Sequence, residues 1–172
     1  MIPEIGHFAL VIALGMAIVQ TVLPLAGAQL GIQRWVAIAR PSTFGRLLFV
    51  GIAYACLTWA FLQNDFSVLY VAQNSNTGLP VMYLISGVWG AHEGSLLLWA
   101  LILSLWSAAV ALFSPNVPEV MRARVLGVMG LVSIGFLLFI LLTSNPFERL
   151  FPAIAEGSDL NPLLQDIGLV IH

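Results

Sequence analysis

Charged residues arrive in clumps along this chain, and long apolar stretches without charge lie between the clumps. From Ile5 to Gln33 there are 29 residues without a charge, and from Leu47 to Asn64 there are 18. Two further stretches run from Gly94 to Pro118 (25 residues) and from Val125 to Phe147 (23 residues). A helix rises about 1.5 Å per residue, so about 20 apolar residues cross the hydrocarbon of a bilayer. The pattern predicts four membrane spans, near 7–31, 46–64, 94–113 and 124–143.

A fifth uncharged stretch, Phe66 to His92, reads differently. Gln73-Asn74-Ser75-Asn76-Thr77-Gly78, followed by Leu79-Pro80, is turn chemistry and too polar for a bilayer centre. Only Val81 to Trp89 remains as an apolar block, and it is too short to span. It is expected to be a short helix lying at the interface. In the last span Gly127, Gly130 and Ser133 mark one small-residue face suited to close helix packing.

The sign of the charges orients these spans. The predicted loop from Arg34 to Arg46 holds three Arg and no acid, and the connection after the third span holds Arg122 and Arg124. The positive-inside rule makes both cytoplasmic and both chain ends external. Five of six Arg then lie inside and seven of eight carboxylates outside, whereas a fifth span would put the two Arg-bearing loops on opposite sides. The expected fold is an all-α integral membrane protein with four transmembrane helices, N-out and C-out. Residues 1–147 form the four-span unit with an external loop at 65–93, and 148–172 form an external tail. Met1-Ile2-Pro3-Glu4 has neither a positive n-region nor a small-residue cleavage site, so no removable signal peptide is expected.

Composition narrows the function classes. Of 172 residues, 60% are hydrophobic and 8% charged, against about 25% charged in a soluble domain. A soluble globule and a disordered chain are excluded, and the absence of a basic patch excludes a nucleic-acid binder. One cysteine, Cys56, sits in an apolar run, so neither an internal disulfide nor a cysteine-based zinc site can form. His92-Glu93 has Leu96 where H-E-x-x-H needs its second His, and there is no P-loop, G-x-G-x-x-G or C-x-x-C-H. His7, His92 and His172 all fall on the predicted external side, so chemistry is expected there.

The most unusual string is Trp89-Gly90-Ala91-His92-Glu93-Gly94-Ser95-Leu96-Leu97-Leu98-Trp99. Its glycines let the backbone turn tightly into the third span, and Glu93 would sit at the helix N-terminus, where negative charge is favoured. His92, Leu96, Trp99, Leu103 and Trp106 share one helical stripe, a His above an aromatic wall. A membrane-interface anchor explains this, and spacing alone favours it. A surface for a flat apolar macrocycle also explains it. His7, three residues after Glu4, is expected to pair locally with that carboxylate. In the tail, Asn161 and Pro162 suit the N-cap and first position of a short helix.

Trp89 to Trp99 resembles the signature of the CcmF family, the haem lyase component of cytochrome c maturation. Met1 to Gly6, Asn64 to Thr77, Leu142 to Phe147 and Asp159 to Asp166 resemble the same family, so the likeness runs through the whole chain. The related subunit dedicated to nitrite reductase maturation is similar too. The resemblance is to the N-terminal part, since the tryptophan-rich external segment and the transmembrane His pair of the family's resident haem are not found here. Ile167 departs from the family, which usually has Pro before Gly168.

The resemblance implies haem, handled on the periplasmic face of a bacterial inner membrane, with a haem chaperone, apocytochrome c and thiol-reducing proteins as partners. It implies that His172 is an axial haem ligand, with His92, Glu93, Trp89 and Trp99 contributing an external surface for haem or a partner. Haem vinyl groups would be joined to C-x-x-C-H thiols, a reaction the 172 residues alone are not expected to perform. Set against this is a different class, a transporter or respiratory-complex subunit whose external loops dock partners.

Overall fold

The computed structural model describes residues 1–154 and 156–159. The expected helix start at Asn161-Pro162 and the expected haem ligand His172 lie outside the described residues. Seven helices follow in order: α1 (Ile2–Leu30), α2 (Gln33–Ala37), α3 (Ala39–Leu62), α4 (Leu69–Asn74), α5 (Val81–Gly87), α6 (His92–Phe113) and α7 (Glu119–Thr143). Four are long and apolar enough to cross a membrane: α1, the α2–α3 unit, α6 and α7. They pack as a ring, α1 on α3, α3 on α6, α6 on α7 and α7 back on α1.

Small residues set how closely the helices approach. A methyl group on Gly130 would lie 2.6 Å from the Thr21 hydroxyl, and one on Gly127 would lie 2.7 Å from Leu25. Both glycines are buried against α1 together with Ser133 on the same side of α7, as the sequence pattern anticipated. Pro24 stands inside α1 and is buried, a position a membrane helix packed among others tolerates. Gly31 ends that helix at φ 70°, in the left-handed region that glycine enters without strain.

Three expectations need correction. The segment 34–46 is not a loop, because α3 begins at Ala39. Pro41 stands in its first turn, where no backbone N–H is needed, so it does not delay the helix. Arg46 is therefore two turns inside α3, and it is fully buried. Residues 69–74, expected within the external loop 65–93 with turn chemistry from Gln73, form α4, whose Tyr70, Val71 and Ala72 are buried. Asn74, placed in the turn by its polarity, instead caps the helix by donating its amide to the Tyr70 carbonyl at 2.9 Å. The apolar block after Pro80 does form a short helix, α5.

Beyond α7 the chain turns back and pairs with the α3–α4 connection. The Leu69 N–H donates to the Glu148 carbonyl and the Leu150 N–H to the Ser67 carbonyl, each at 2.9 Å. Arg149 closes the same seam, bonding Glu4 at the start of α1 and the Ser67 hydroxyl, 3.7 Å from Asp65. At the opposite end Gln33 donates to Glu119 at 2.5 Å. The two ends of the ring differ in charge: Glu4, Asp65, Glu93, Glu148, Glu156 and Asp159 gather with Arg149 at one, Arg34, Arg40, Arg122 and Arg124 with Glu119 at the other.

Candidate functional site

The acidic end is built around the turn from α5 into α6. Ala91, in extended conformation, is the N-cap, so α6 begins at His92 with Glu93 in its first turn. The turn is clamped by Tyr70 from α4. Its hydroxyl accepts the Ala91 N–H at 3.2 Å and lies 3.2 Å from the Val88 carbonyl, to which it can donate. Tyr70 is itself held edge-on by Phe61, with ring centroids 5.4 Å apart. Burial pushes its phenol above the ordinary tyrosine range, so it stays a neutral donor.

Gly94 is required by this clamp. A methyl there would stand 1.7 Å from the Val88 carbonyl oxygen and 2.6 Å from the Tyr70 hydroxyl. Ser95 completes the turn by donating to the Trp89 carbonyl at 2.6 Å. The backbone around His92 is thereby fixed from three sides, while the His92 side chain is left exposed. Its ring stands edge-to-face with Phe139 on α7, with centroids 5.9 Å apart at 80°.

Sequence reasoning placed four residues on one external surface, and the structure divides them. His92 and Glu93 share the first turn of α6. Trp89 is half-buried and packs on the main core, whereas Trp99 is 64% exposed on the outward flank of α6. The stripe from His92 through Leu96, Trp99 and Leu103 to Trp106 runs along that flank. It borders two apolar hollows of about 340 and 390 Å³ that α7 completes with Val132, Gly135, Phe136 and Phe139.

His7 does not pair with Glu4. Its Nδ1 lies 3.2 Å from the Asn145 amide nitrogen, while Glu4 is taken by Arg149 and by the terminal ammonium at 2.7 Å. The i, i+3 spacing suggested a local pair, but the chain after α7 brings stronger partners to both. A cleft of about 650 Å³ opens beside His7, walled by Phe8, Asn145, Phe147 and Glu148. Among the described residues no group of three His, Cys, Asp or Glu could hold a metal ion.

Arg46 and Tyr70 were not singled out from the sequence. Arg46 reaches across the ring, donating to the Ser107 hydroxyl at 2.6 Å and to the Ser133 hydroxyl, with the Met129 carbonyl at 3.4 Å. Beside it Gln20 donates to the Leu126 carbonyl at 2.7 Å. Arg46 Nε and Gln20 Oε1 have no partner among the described residues. The readable signal was the set of polar residues within the spans, Gln20, Thr21, Ser107 and Ser133.

Comparison with known proteins adds the context. The family model for the cytochrome C assembly protein matches residues 89–172, beginning at the Trp89 turn. The cytochrome c-type biogenesis protein CcmF of Pseudomonas aeruginosa is 61% identical over all of this chain and 26% of its own length. That of Pseudomonas fluorescens is 59% identical over 99% of this chain and 26% of its own length. A solved structure titled cytochrome c heme lyase CcmF superposes with a TM-score of 0.81 at 28% identity, covering 86% of this chain and 25% of that one. The chain thus spans about a quarter of the length of the curated relatives it matches.

Proposed function

Because the chain belongs to the CcmF family of cytochrome c-type biogenesis proteins, we propose that it is the membrane-embedded part of a haem-handling machine. In this reading it is a multi-pass protein of the bacterial inner membrane, its acidic end facing the periplasm. The charge asymmetry of the ring supports that orientation, since Arg34, Arg40, Arg122 and Arg124 mark the cytoplasmic side. Reporter fusions at Asn116 and Gly78 should then report opposite sides; the same side for both overturns the orientation.

The observation that carries the functional reading is the clamped turn: an exposed imidazole on a backbone fixed by Tyr70, Gly94 and Ser95. Haem is the cargo, a flat apolar ring that needs axial imidazole and a surface that fixes its rotation. His92, Phe139 and Leu96 supply a polar tip above an apolar bed, which fits the edge of such a ring. One imidazole fills one axial position. We assign His92 and Glu93 to the floor on which haem or the apocytochrome docks, and axial ligation to His172. Trp89 holds that floor to the core.

The protein's contribution is orientation, bringing the haem vinyl groups to the apocytochrome's thiols, an effect worth several kcal/mol when reacting groups are prealigned. Cys56 lies inside α3, so the reducing equivalents that keep those thiols free come from thiol-reducing partners, and haem comes from a chaperone. His92→Ala in the full-length family polypeptide should lower covalent haem in periplasmic cytochromes while a Soret band remains on the purified protein. Loss of all bound haem at normal membrane abundance would make His92 a ligand instead. Unchanged cytochrome levels would remove it from the function.

A further inference from the structure

The interior of the ring carries an inference independent of the haem reading and of the orientation. We propose that an internal water bridge joins Arg46 on α3 to Gln20 on α1, inside the polar layer that ties the four spanning helices together.

The first observation is burial with two bonds unmade. Arg46 and Gln20 are both 0% exposed. The guanidinium sets Nη1 on the Ser133 hydroxyl and the Met129 carbonyl, and Nη2 on the Ser107 hydroxyl. The Gln20 amide nitrogen is used on the Leu126 carbonyl. That leaves Arg46 Nε and Gln20 Oε1, neither of which has a partner among the described residues. A polar group stranded in a bilayer interior is costly, and at this burial neither bulk water nor a lipid headgroup reaches the pair.

The second observation is position. Leu126 and Met129, whose carbonyls receive the two side chains, stand three residues apart on α7, about 4.5 Å along its axis. Gln20 lies against the same stretch of backbone, since a methyl on Gly130 would come within 3.3 Å of its Cγ. Both unpaired atoms therefore belong to side chains at one level of the ring interior. Two ordinary hydrogen bonds of about 2.8 Å let a single water join groups up to about 5.6 Å apart.

The third observation is sign. One unpaired atom is a donor and the other an acceptor. The hydroxyls of Thr21, Ser107 and Ser133 each spend their hydrogen on the carbonyl four residues back, at 2.8 Å, so they present oxygen lone pairs to the layer. A halide would suit Nε–H but would be repelled by Gln20 Oε1 and these oxygens. A metal ion would be repelled by the guanidinium. Water accepts from Nε–H, donates one hydrogen to Gln20 Oε1 and keeps the second for a hydroxyl oxygen, the three bonds typical of a buried water. No carboxylate among the described residues bridges to Arg46. The layer thus solvates its cation with neutral oxygens, two from serines, one from the backbone and one from water.

The test is water-edited solid-state NMR on the full-length family polypeptide in its membrane, with arginine labelled with nitrogen-15. The Arg46 Nε signal is assigned by its loss in Arg46→Met. Magnetisation that starts on water should reach this nitrogen at short mixing times, well before it reaches the backbone amides of Leu10 and Leu57, which are equally buried in an apolar core. Gln20→Leu removes the acceptor but leaves the serines that hold the guanidinium. The Arg46 signal should persist in that variant while its transfer from water falls several-fold. Transfer to Arg46 Nε as slow as to Leu10 and Leu57 in the unaltered protein would show a dry layer and overturn the proposal, whether or not the variant folds. Unchanged transfer in a folded Gln20→Leu variant would overturn the bridge. A shift of the Nε signal when chloride is exchanged for sulfate would put a halide in its place.

Discussion

Arg46 and His92 are both nitrogen-rich side chains on spanning helices, and the molecule treats them in opposite ways. Arg46 is fully buried, its guanidinium spread across hydroxyls of α6 and α7. His92 stands at a helix start on a backbone anchored from three sides, and its ring is left open. At the first site the side chain is tied down and helps fix the ring of helices. At the second the backbone is tied down so that the side chain can meet something else.

The contrast breaks most sharply at the Arg46 layer. The hydroxyls of Ser107 and Ser133 also donate to their own i−4 carbonyls at 2.8 Å, so neither depends on the guanidinium. The guanidinium does depend on them. Ser107→Ala with Ser133→Ala, leaving a buried cation with, among the described residues, only the Met129 carbonyl at 3.4 Å, should cost about 3–5 kcal/mol in reversible unfolding from bilayers or detergent. Arg46→Met removes the charge with its burial penalty and should cost much less. If Arg46→Met proves the more damaging, the cation has a role beyond holding the helices.

Packing effects come next. Gly130→Leu drives a side chain into Thr21 and should destabilise by about 1–3 kcal/mol in the same assay. Gly135→Ala, with open space around it, should change stability little. Equal losses would mean that the outward flank is as tightly packed as the inner one.

Tyr70→Phe sharpens the other side of the comparison. It strips the part-buried Ala91 N–H of its acceptor, a loss of about 1 kcal/mol. The phenol's raised pKa adds a pH signature. Below the ordinary tyrosine value of 10.0 both folded and unfolded chains are protonated and nothing changes. Above it only the unfolded chain gains by ionising, so stability falls as pH rises. Tyr70→Phe should lose that alkaline component, measured as the difference between the two pH–stability curves.

The smallest effect lies in the tail. Glu156 accepts the Thr77 N–H at 2.9 Å and its hydroxyl at 2.7 Å, and these bonds hold its carboxyl below the usual range. The contact is complete at neutral pH and is lost as pH falls through the depressed value. Glu156→Gln should speed hydrogen exchange at the Thr77 amide and leave the spans untouched.

Hydrophobic spacing was enough to find all four spans, because crossing a bilayer imposes a length that the uncharged stretches display directly. The same logic misplaced Arg46. Charge marks a boundary only when it is in water, and a charge solvated by hydroxyls from residues 61 and 87 positions away looks identical in the sequence. Tyr70 was invisible for a related reason. Its value lies in one hydrogen bond to a turn 21 residues on, and no periodicity reports that. His92 and Glu93 were legible because a helix start between glycines is a local property.

The distance in sequence between Arg46 and Ser133 also orders events during synthesis. The 87 residues that separate them take from about 4 to about 17 s to translate, at about 5–20 residues per second. Through that interval α3 exists without α7, and for the first 61 residues of it without Ser107 either. Arg46 lies seven residues from the start of α3, about 10 Å from the end of the helix, near enough for a long side chain to reach the headgroup layer. Its two hydroxyl partners arrive in turn, Ser107 first and Ser133 last. Closing the ring is the moment when that arginine lets go of bulk water.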